Sequence, residues 1–323
     1  MLQSGDGKSW GNTYPPCNKT FGLLTPYPSP EVPPANFPLQ SLGNTEAKYQ
    51  GQKSAFHTFG GSGPTYYTID AHGRFSSVTT PSVNLTFTGL PRDMGCIQTT
   101  CCNCPFRVDS GNMLRMPDTT LLLVMNVFYQ PTPGLKGDGS SVVMYSSQGG
   151  LDWRFKSNIA VAEYYPWSGE GPNEATISLL ADEKTLICIF RVDAGDGGTG
   201  GKPYMKTFSK DSGATWSAPQ NMSAGVGTAK PRLILMDRTK GPLILVGGRP
   251  GNKVWISPDG FGGDEWYGQD MPSPSPALVA VEATAAGYST SYNGIARLTP
   301  TTGAVSFDYD NRIYAAFFSV DPA

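Results

Sequence analysis

Charge is the scarcest ingredient of this chain. Asp, Glu, Lys and Arg together make up 15% of it and leave a net charge of −2, where an average globular domain carries about 25% charged residues. There is no basic surplus to meet a phosphate backbone or an anionic membrane, so nothing electrostatic favours a nucleic-acid partner. Histidine is almost absent, with only His57 and His72. Long apolar runs are missing too. The longest, Leu121 to Phe128, suits a buried strand and is far short of the ~18 residues of a membrane span. The first ten residues lack the apolar core of a signal peptide. Finally, 39 Gly and 28 Pro spread along the 323 residues break any long helix. Short strands joined by turns are the expected content.

The six cysteines are Cys17, Cys96, Cys101, Cys102, Cys104 and Cys188. Cys101 and Cys104 have C-x2-C spacing, which would suit half of a zinc site, but no second C-x2-C and no His pair completes it. Disulfides or plain thiols are the expected state, and no cofactor is implied. Cys188, inside the apolar "KTLICIF", reads as a buried thiol. Asn18, Asn84 and Asn221 head Asn-x-Ser/Thr acceptors, which lean the expected localisation toward the secretory pathway, lysosome or cell exterior.

What the chain has in quantity is one turn, repeated. "SKDSGATW" places Ser209, Asp211, Gly213, Thr215 and Trp216 in the pattern S-x-D-x-G-x-T-W. "SSQGGLDW" carries Ser146, Gln148 in place of Asp, Gly150 and Trp153, and "SPDGFGGDEW" carries Ser257, Asp259, Gly260 and Trp266. "SGDGKSW" near the start has Ser4, Asp6, Gly7 and Trp10, one residue short of the pattern. An Asp can accept N–H bonds within its own turn, Gly permits positive φ, and Trp covers adjacent apolar surface. Strand-like sequence follows each copy, which marks a structural repeat. Units of four short strands need ~45–55 residues each, so the expected fold is all-β. It is a single domain over residues 1–323 in which about six four-stranded blades form a β-propeller.

With these turns the chain resembles the sialidase (neuraminidase) family, where they are known as Asp-boxes or BNR repeats. The resemblance extends to what surrounds them. "GPNEATISLLADEKTLICIFRVD" is similar to the family's Glu-containing segment, which implies Glu174 as general base and Arg191 as one of the arginines holding the substrate carboxylate. "PLILVGGRPGNKVWISPDG" resembles the blade whose arginine precedes the strand leading to the next box, which implies Arg249, with Arg232 in "AKPRLILM" as its rival. "GYSTSYNGIARLTPTTGAVSFDYD" looks like the nucleophile segment, with Tyr292 in the tyrosine position. Asp308 falls where the family has a Glu that steadies an arginine.

The implied chemistry is retaining hydrolysis of terminal sialic acid or a related acidic sugar. Sialic acid carries a carboxylate on its anomeric carbon and would repel a carboxylate nucleophile, so a neutral Tyr is used instead. A phenol with pKa near 10 needs a base such as Glu174 as it attacks. Arginine suits the carboxylate because its planar fork makes two charge-assisted bonds. The four residues Glu174, Arg191, Arg249 and Tyr292 are expected to converge at one mouth of the channel.

The family's first arginine lies in an F-R-I-P motif, which Phe106-Arg107-Val108 matches in three of four positions, with Asp138 as the acid that would follow. Asp109 replaces the Pro, however, and a box already precedes Arg107, whereas the family's motif precedes every box. The first arginine and the acid are therefore expected upstream of Met1, with the first blade incomplete. Loss of the acid would cost about 10²–10⁴-fold on poorly activated leaving groups. The expected partners are sialylated glycans or related acidic sugars, and the expected state is a monomer. The alternative is a non-catalytic propeller that binds glycans or serves as a protein scaffold.

Overall fold

The structure is a computed structural model that describes residues 2–3, 10–11, 57–59, 66–69, 75–78, 85–91, 106–107, 113–129, 140–150, 152–168, 170–192, 203–223, 225–227, 229–237, 241–248, 252–270, 293–309 and 312–320. For the described residues before Phe87 and for 106–107, 128, 248, 252, 269–270, 306–309 and 312–315 only the backbone is described.

Almost every described residue outside turns is in a strand. β1 (Leu2–Gln3) and β2 (Trp10–Gly11) form a small antiparallel hairpin. β3 (His57–Phe59) comes next, then the hairpin of β4 (Tyr66–Ile69) and β5 (Phe75–Val78). β6 (Leu85–Thr88), β7 (Phe106–Arg107), β8 (Met113–Arg115), β9 (Leu121–Phe128), β10 (Ser140–Ser147) and β11 (Asp152–Ala160) join β3 in a seven-stranded sheet ordered β3-β6-β11-β10-β9-β7, with β8 also on β9. A 3₁₀ turn, Ala162–Tyr164, leads out of it.

Two four-stranded meanders follow. The first is β12 (Pro172–Leu179), β13 (Leu186–Val192), β14 (Met205–Ser209) and β15 (Gln220–Asn221). The second is β16 (Ala229–Leu235), β17 (Leu243–Gly248), β18 (Asn252–Ser257) and β19 (Tyr267–Asp270). β20 (Asn293–Arg297), β21 (Thr302–Tyr309) and β22 (Arg312–Ser319) close the order as a three-stranded meander. The opening strands of the three meanders lie side by side, β12 against β16 and β16 against β20, and β9 of the seven-stranded sheet lies against β12. Among the described residues no closed propeller or barrel is formed.

The sheets stack face to face, and this explains the sequence pattern. β13 sends Leu186, Cys188, Phe190 and Val192 into the layer shared with β9 and β10, and Ile187 and Ile189 into the layer shared with β16 and β17. β17 sends Leu243 and Leu245 one way and Ile244 and Val246 the other. A strand covered on both faces reads as a continuous apolar run instead of an alternating one. Each such side chain taken out of water contributes roughly 1.5–3 kcal/mol. Cys188 is a free, buried thiol within the first layer, and burial holds its pKa well above the usual thiol value. The remaining cysteines lie outside the described residues.

The repeated turns fasten one sheet to the next. In the most regular copy, Ser209 Oγ accepts the Gly213 N–H (2.8 Å), while Asp211 accepts the Thr215 N–H (2.9 Å) and hydroxyl (2.5 Å). Gly213 has φ 86°, and a Cβ there would overlap the Met144 sulfur of the preceding sheet. Its carbonyl accepts the Ser157 hydroxyl of β11 (2.6 Å). In the later copy Ser257 Oγ accepts from Gly262 N (3.2 Å), and the carbonyls of Gly262 and Gly263 accept from the buried Lys206 Nζ of β14 (3.3 and 2.7 Å). Ser157 and Lys206 thus do the same job on successive sheets. Two assignments read from sequence shift by a residue or two. The serine whose hydroxyl accepts a turn N–H in "SSQGGLDW" is Ser147, from Gly150 (2.8 Å), not Ser146, and the glycine that donates to Ser257 Oγ is Gly262, while Gly260 donates to the Ser257 carbonyl.

Candidate functional site

The opening strands β12 and β16 carry the same irregularity at the same place. In β12 the register steps from Asn173↔Arg191 to Thr176↔Ile189, three residues against two, and in β16 it steps from Ala229↔Gly248 to Arg232↔Val246. Each is a bulge, and each holds a non-glycine residue in the left-handed region: Glu174 at φ 50° and Lys230 at φ 39°. Such conformations cost of order 1–3 kcal/mol and recur where a side chain must be re-aimed. The two registers make Glu174 and Lys230 equivalent positions on neighbouring strands.

The bulges meet at one carboxylate. Glu174 is buried, and its Oε2 accepts the Lys230 backbone N–H at 2.8 Å and Arg191 Nη1 at 3.2 Å. Both of these bonds fall on Oε2. Arg191, buried on β13, also reaches Glu170 Oε2 from Nη2 at 3.4 Å, and Glu170 takes a further bond from Asn173 Nδ2 at 3.3 Å. One step along the strands, Thr176 Oγ1 accepts the Leu233 N–H at 3.1 Å, which stitches β12 to β16 beside the site. The result is a carboxylate fixed through one oxygen, in contact with a guanidinium, at the end where β12 begins and β13 finishes.

Two further residues complete the surroundings. Arg232 is fully buried on β16 and donates from Nη1 to the Pro231 carbonyl at 3.1 Å. Tyr204, fully buried just ahead of β14, donates its hydroxyl to the Ala229 carbonyl at 2.8 Å. Burial, then the charge of Glu174, raise the Tyr204 pKa well above 10 against the opposing pull of Arg191 and Arg232. The hydroxyl has room because position 247 is glycine, where a Cβ would overlap Tyr204 Oη.

No protein-family model matches the chain, and no curated protein matches its sequence. Solved structures do match in shape. A protein of unknown function from Dyadobacter fermentans superimposes with TM-score 0.51 at 15% identity, over 84% of this chain and 69% of that one. A Hadza microbial sialidase, Hz136, does so with TM-score 0.51 at 14% identity, over 84% of this chain and 46% of that one. An α-L-arabinofuranosidase from Fusarium graminearum reaches 0.49 at 12% identity, over 87% and 70%. The chain therefore spans under half the length of the sialidase it resembles. The fold is shared with that sialidase.

Of the residues singled out in the sequence, the structure brings together Glu174 and Arg191 by direct contact and puts Arg232, named as the rival of Arg249, in the same electrostatic group around Tyr204. Arg107 stands on β7 opposite Asn126 and Asp308 on β21 opposite Ile313, with their backbones alone described. Asp138, Arg249 and Tyr292 lie outside the described residues. Lys230, Tyr204 and Glu170 were not singled out. The first two are joined to the site only through bonds between sheets, and the one local signal for Glu170 is its place four residues ahead of Glu174. Among the described residues no group of three His, Cys, Asp or Glu could hold a metal ion. A separate groove of about 710 Å³ runs between Asn158–Tyr165 and Trp216–Pro219 and includes none of these site residues.

Proposed function

We propose that this chain is a sialidase-like retaining glycosidase acting on terminal sialic acid or a related acidic sugar, on a single six-bladed propeller. Glu174 serves as the base, Tyr292 as the nucleophile, and Arg191 and Arg249 hold the substrate carboxylate, with Arg232 as the alternative to Arg249 and Asp308 steadying an arginine. The observation that carries this reading is the buried Glu174–Arg191 pair at the twin bulge, on a fold shared with a sialidase. Chain connectivity supports it. Arg249 follows Gly248, the register partner of Ala229 at the second bulge, and Tyr292 precedes Asn293, the buried first residue of β20 beside β16. Closure of the ring is supported by β2, which lies against β22 and brings early and late strands together.

The chemistry follows from the geometry. With Oε2 held by Lys230 N–H and Arg191, Glu174 presents Oε1 as the oxygen that takes the phenolic proton. The phenolate oxygen then bonds to the anomeric carbon as the glycosidic bond breaks, the aglycone leaving with the bonding pair and taking its proton from solvent. Water next attacks the anomeric carbon, losing a proton to solvent, as the tyrosine oxygen departs and recovers its proton from Glu174. The test is hydrolysis of an aryl α-sialoside, whose good leaving group needs little acid assistance. Turnover is expected, reduced about 10²–10⁴-fold in Glu174→Gln and lost in Tyr292→Phe. Turnover unchanged in both variants would overturn the assignment.

One observation favours a second reading. Arg191 already faces two carboxylates, at 3.2 and 3.4 Å, so an incoming sugar acid must compete for it. A glycan-binding propeller without turnover would show sialoside binding by calorimetry and no aryl release.

A further inference from the structure

We infer that Tyr204 is a positioning residue for Glu174, acting through the single peptide group that joins Ala229 to Lys230. This deepens the reading of Glu174 as the base and rests on it. The Tyr204 hydroxyl donates to the Ala229 carbonyl oxygen at 2.8 Å, and the N–H of that same peptide, on Lys230, donates to Glu174 Oε2 at 2.8 Å. A peptide whose carbonyl accepts a hydrogen bond becomes a better donor at its N–H, a cooperative gain of roughly 10–30% per bond. The hydroxyl therefore strengthens and aims the bond that fixes the carboxylate, without touching it.

Three features build this relay. Lys230 adopts φ 39°, and the bulge there turns the peptide so that its two ends address different parts of the preceding sheet, the carbonyl toward Tyr204 ahead of β14 and the N–H toward Glu174 on β12. Gly247 on β17 leaves the space that the hydroxyl fills, since a Cβ would overlap Oη. A ring serving only as packing beside Trp255, at 6.0 Å between centroids, would need neither that gap nor that partner. Burial also keeps the phenol protonated, so it remains a donor throughout the range in which a glycosidase works.

The experiment is the amide proton shift of Lys230 in isotope-labelled full-length protein. Its resonance is expected downfield in the wild-type chain and moved upfield in Tyr204→Phe and in Glu174→Gln. The double variant should move less than the sum of the two, because both act on one hydrogen-bonded chain. A Lys230 resonance unmoved in Tyr204→Phe, while Ala229 and Gly247 shift, would overturn the relay. Should Tyr204→Phe fail to fold, fluorotyrosine placed at position 204 keeps the ring and donates more strongly. It is expected to move Lys230 downfield, and no movement or an upfield one would overturn the proposal. The shift does not depend on turnover. Expected shifts without sialoside hydrolysis would leave the relay standing and remove Glu174 as base. Hydrolysis lost in Glu174→Gln with Lys230 unmoved in Tyr204→Phe would do the reverse.

Discussion

A guanidinium shared between two carboxylates is held firmly but is not equally committed to both. Arg191 meets Glu174, which is buried, and Glu170, whose side chain is 42% exposed. Releasing the exposed partner costs little, because exposed ion pairs contribute about 0–1 kcal/mol. Releasing the buried one would strand a carboxylate. A substrate carboxylate should therefore displace Glu170 and leave Glu174 in place. Glu170→Gln is expected to lower KM for a sialoside by up to about 5-fold with kcat unchanged. Arg191→Lys should lower kcat/KM by about 10–100-fold, since an ammonium cannot span both partners and a charged hydrogen bond is worth about 1.5–3 kcal/mol. Steady-state kinetics on the two variants checks both.

At the scale of the element, the repeated turn acts as a fastener between sheets more than as a hairpin closure. Its glycine and its carbonyls face the preceding sheet, where Ser157 and Lys206 receive them. Gly213→Ala asks for a Cβ where the Met144 sulfur sits, at φ 86°, and should destabilise by about 1–3 kcal/mol. Lys206→Met leaves the Gly262 carbonyl without its donor, while Asp264, 92% exposed at its side chain, returns to water. The expected cost is about 1–3 kcal/mol, short of the larger penalty for stranding a buried charge. The midpoint of urea unfolding measures each, with an unchanged slope showing that the compactness of the end states is preserved.

Across the whole molecule the same turns set the response to acid. Hydrogen bonds from the Thr215 hydroxyl and N–H, then from Ser209, hold the Asp211 pKa at about 2, and Lys206 lowers that of Asp264. A carboxylate depressed in the folded state contributes stability that is present above its unfolded value, near 4, and is lost as pH falls through the folded value. The melting temperature should therefore drop between about pH 4 and pH 2. Asp211→Asn, which removes one of these groups, should flatten that drop, and a pH series of thermal melts on both proteins decides it.

Much of this was already present in the sequence. The all-β character follows from Gly and Pro spacing, and runs such as Leu186–Phe190 announce strands covered on both faces, since local composition responds directly to burial. The turns were legible because Asp211, Gly213 and Thr215 bond within a few residues of one another, although the exact serine and glycine of the irregular copies were not. Glu174 and Arg191 were legible through a segment resembling a known family, and the hairpin between them explains their meeting. What only the tertiary structure decided is what holds that pair. Lys230 bonds to Glu174 across 56 positions and Lys206 to Gly263 across 57, and Gly247 is a gap shaped for a tyrosine of another sheet. Contacts between stacked sheets leave no period in the chain, because each depends on a backbone bent at a bulge and on a neighbour the local sequence does not specify.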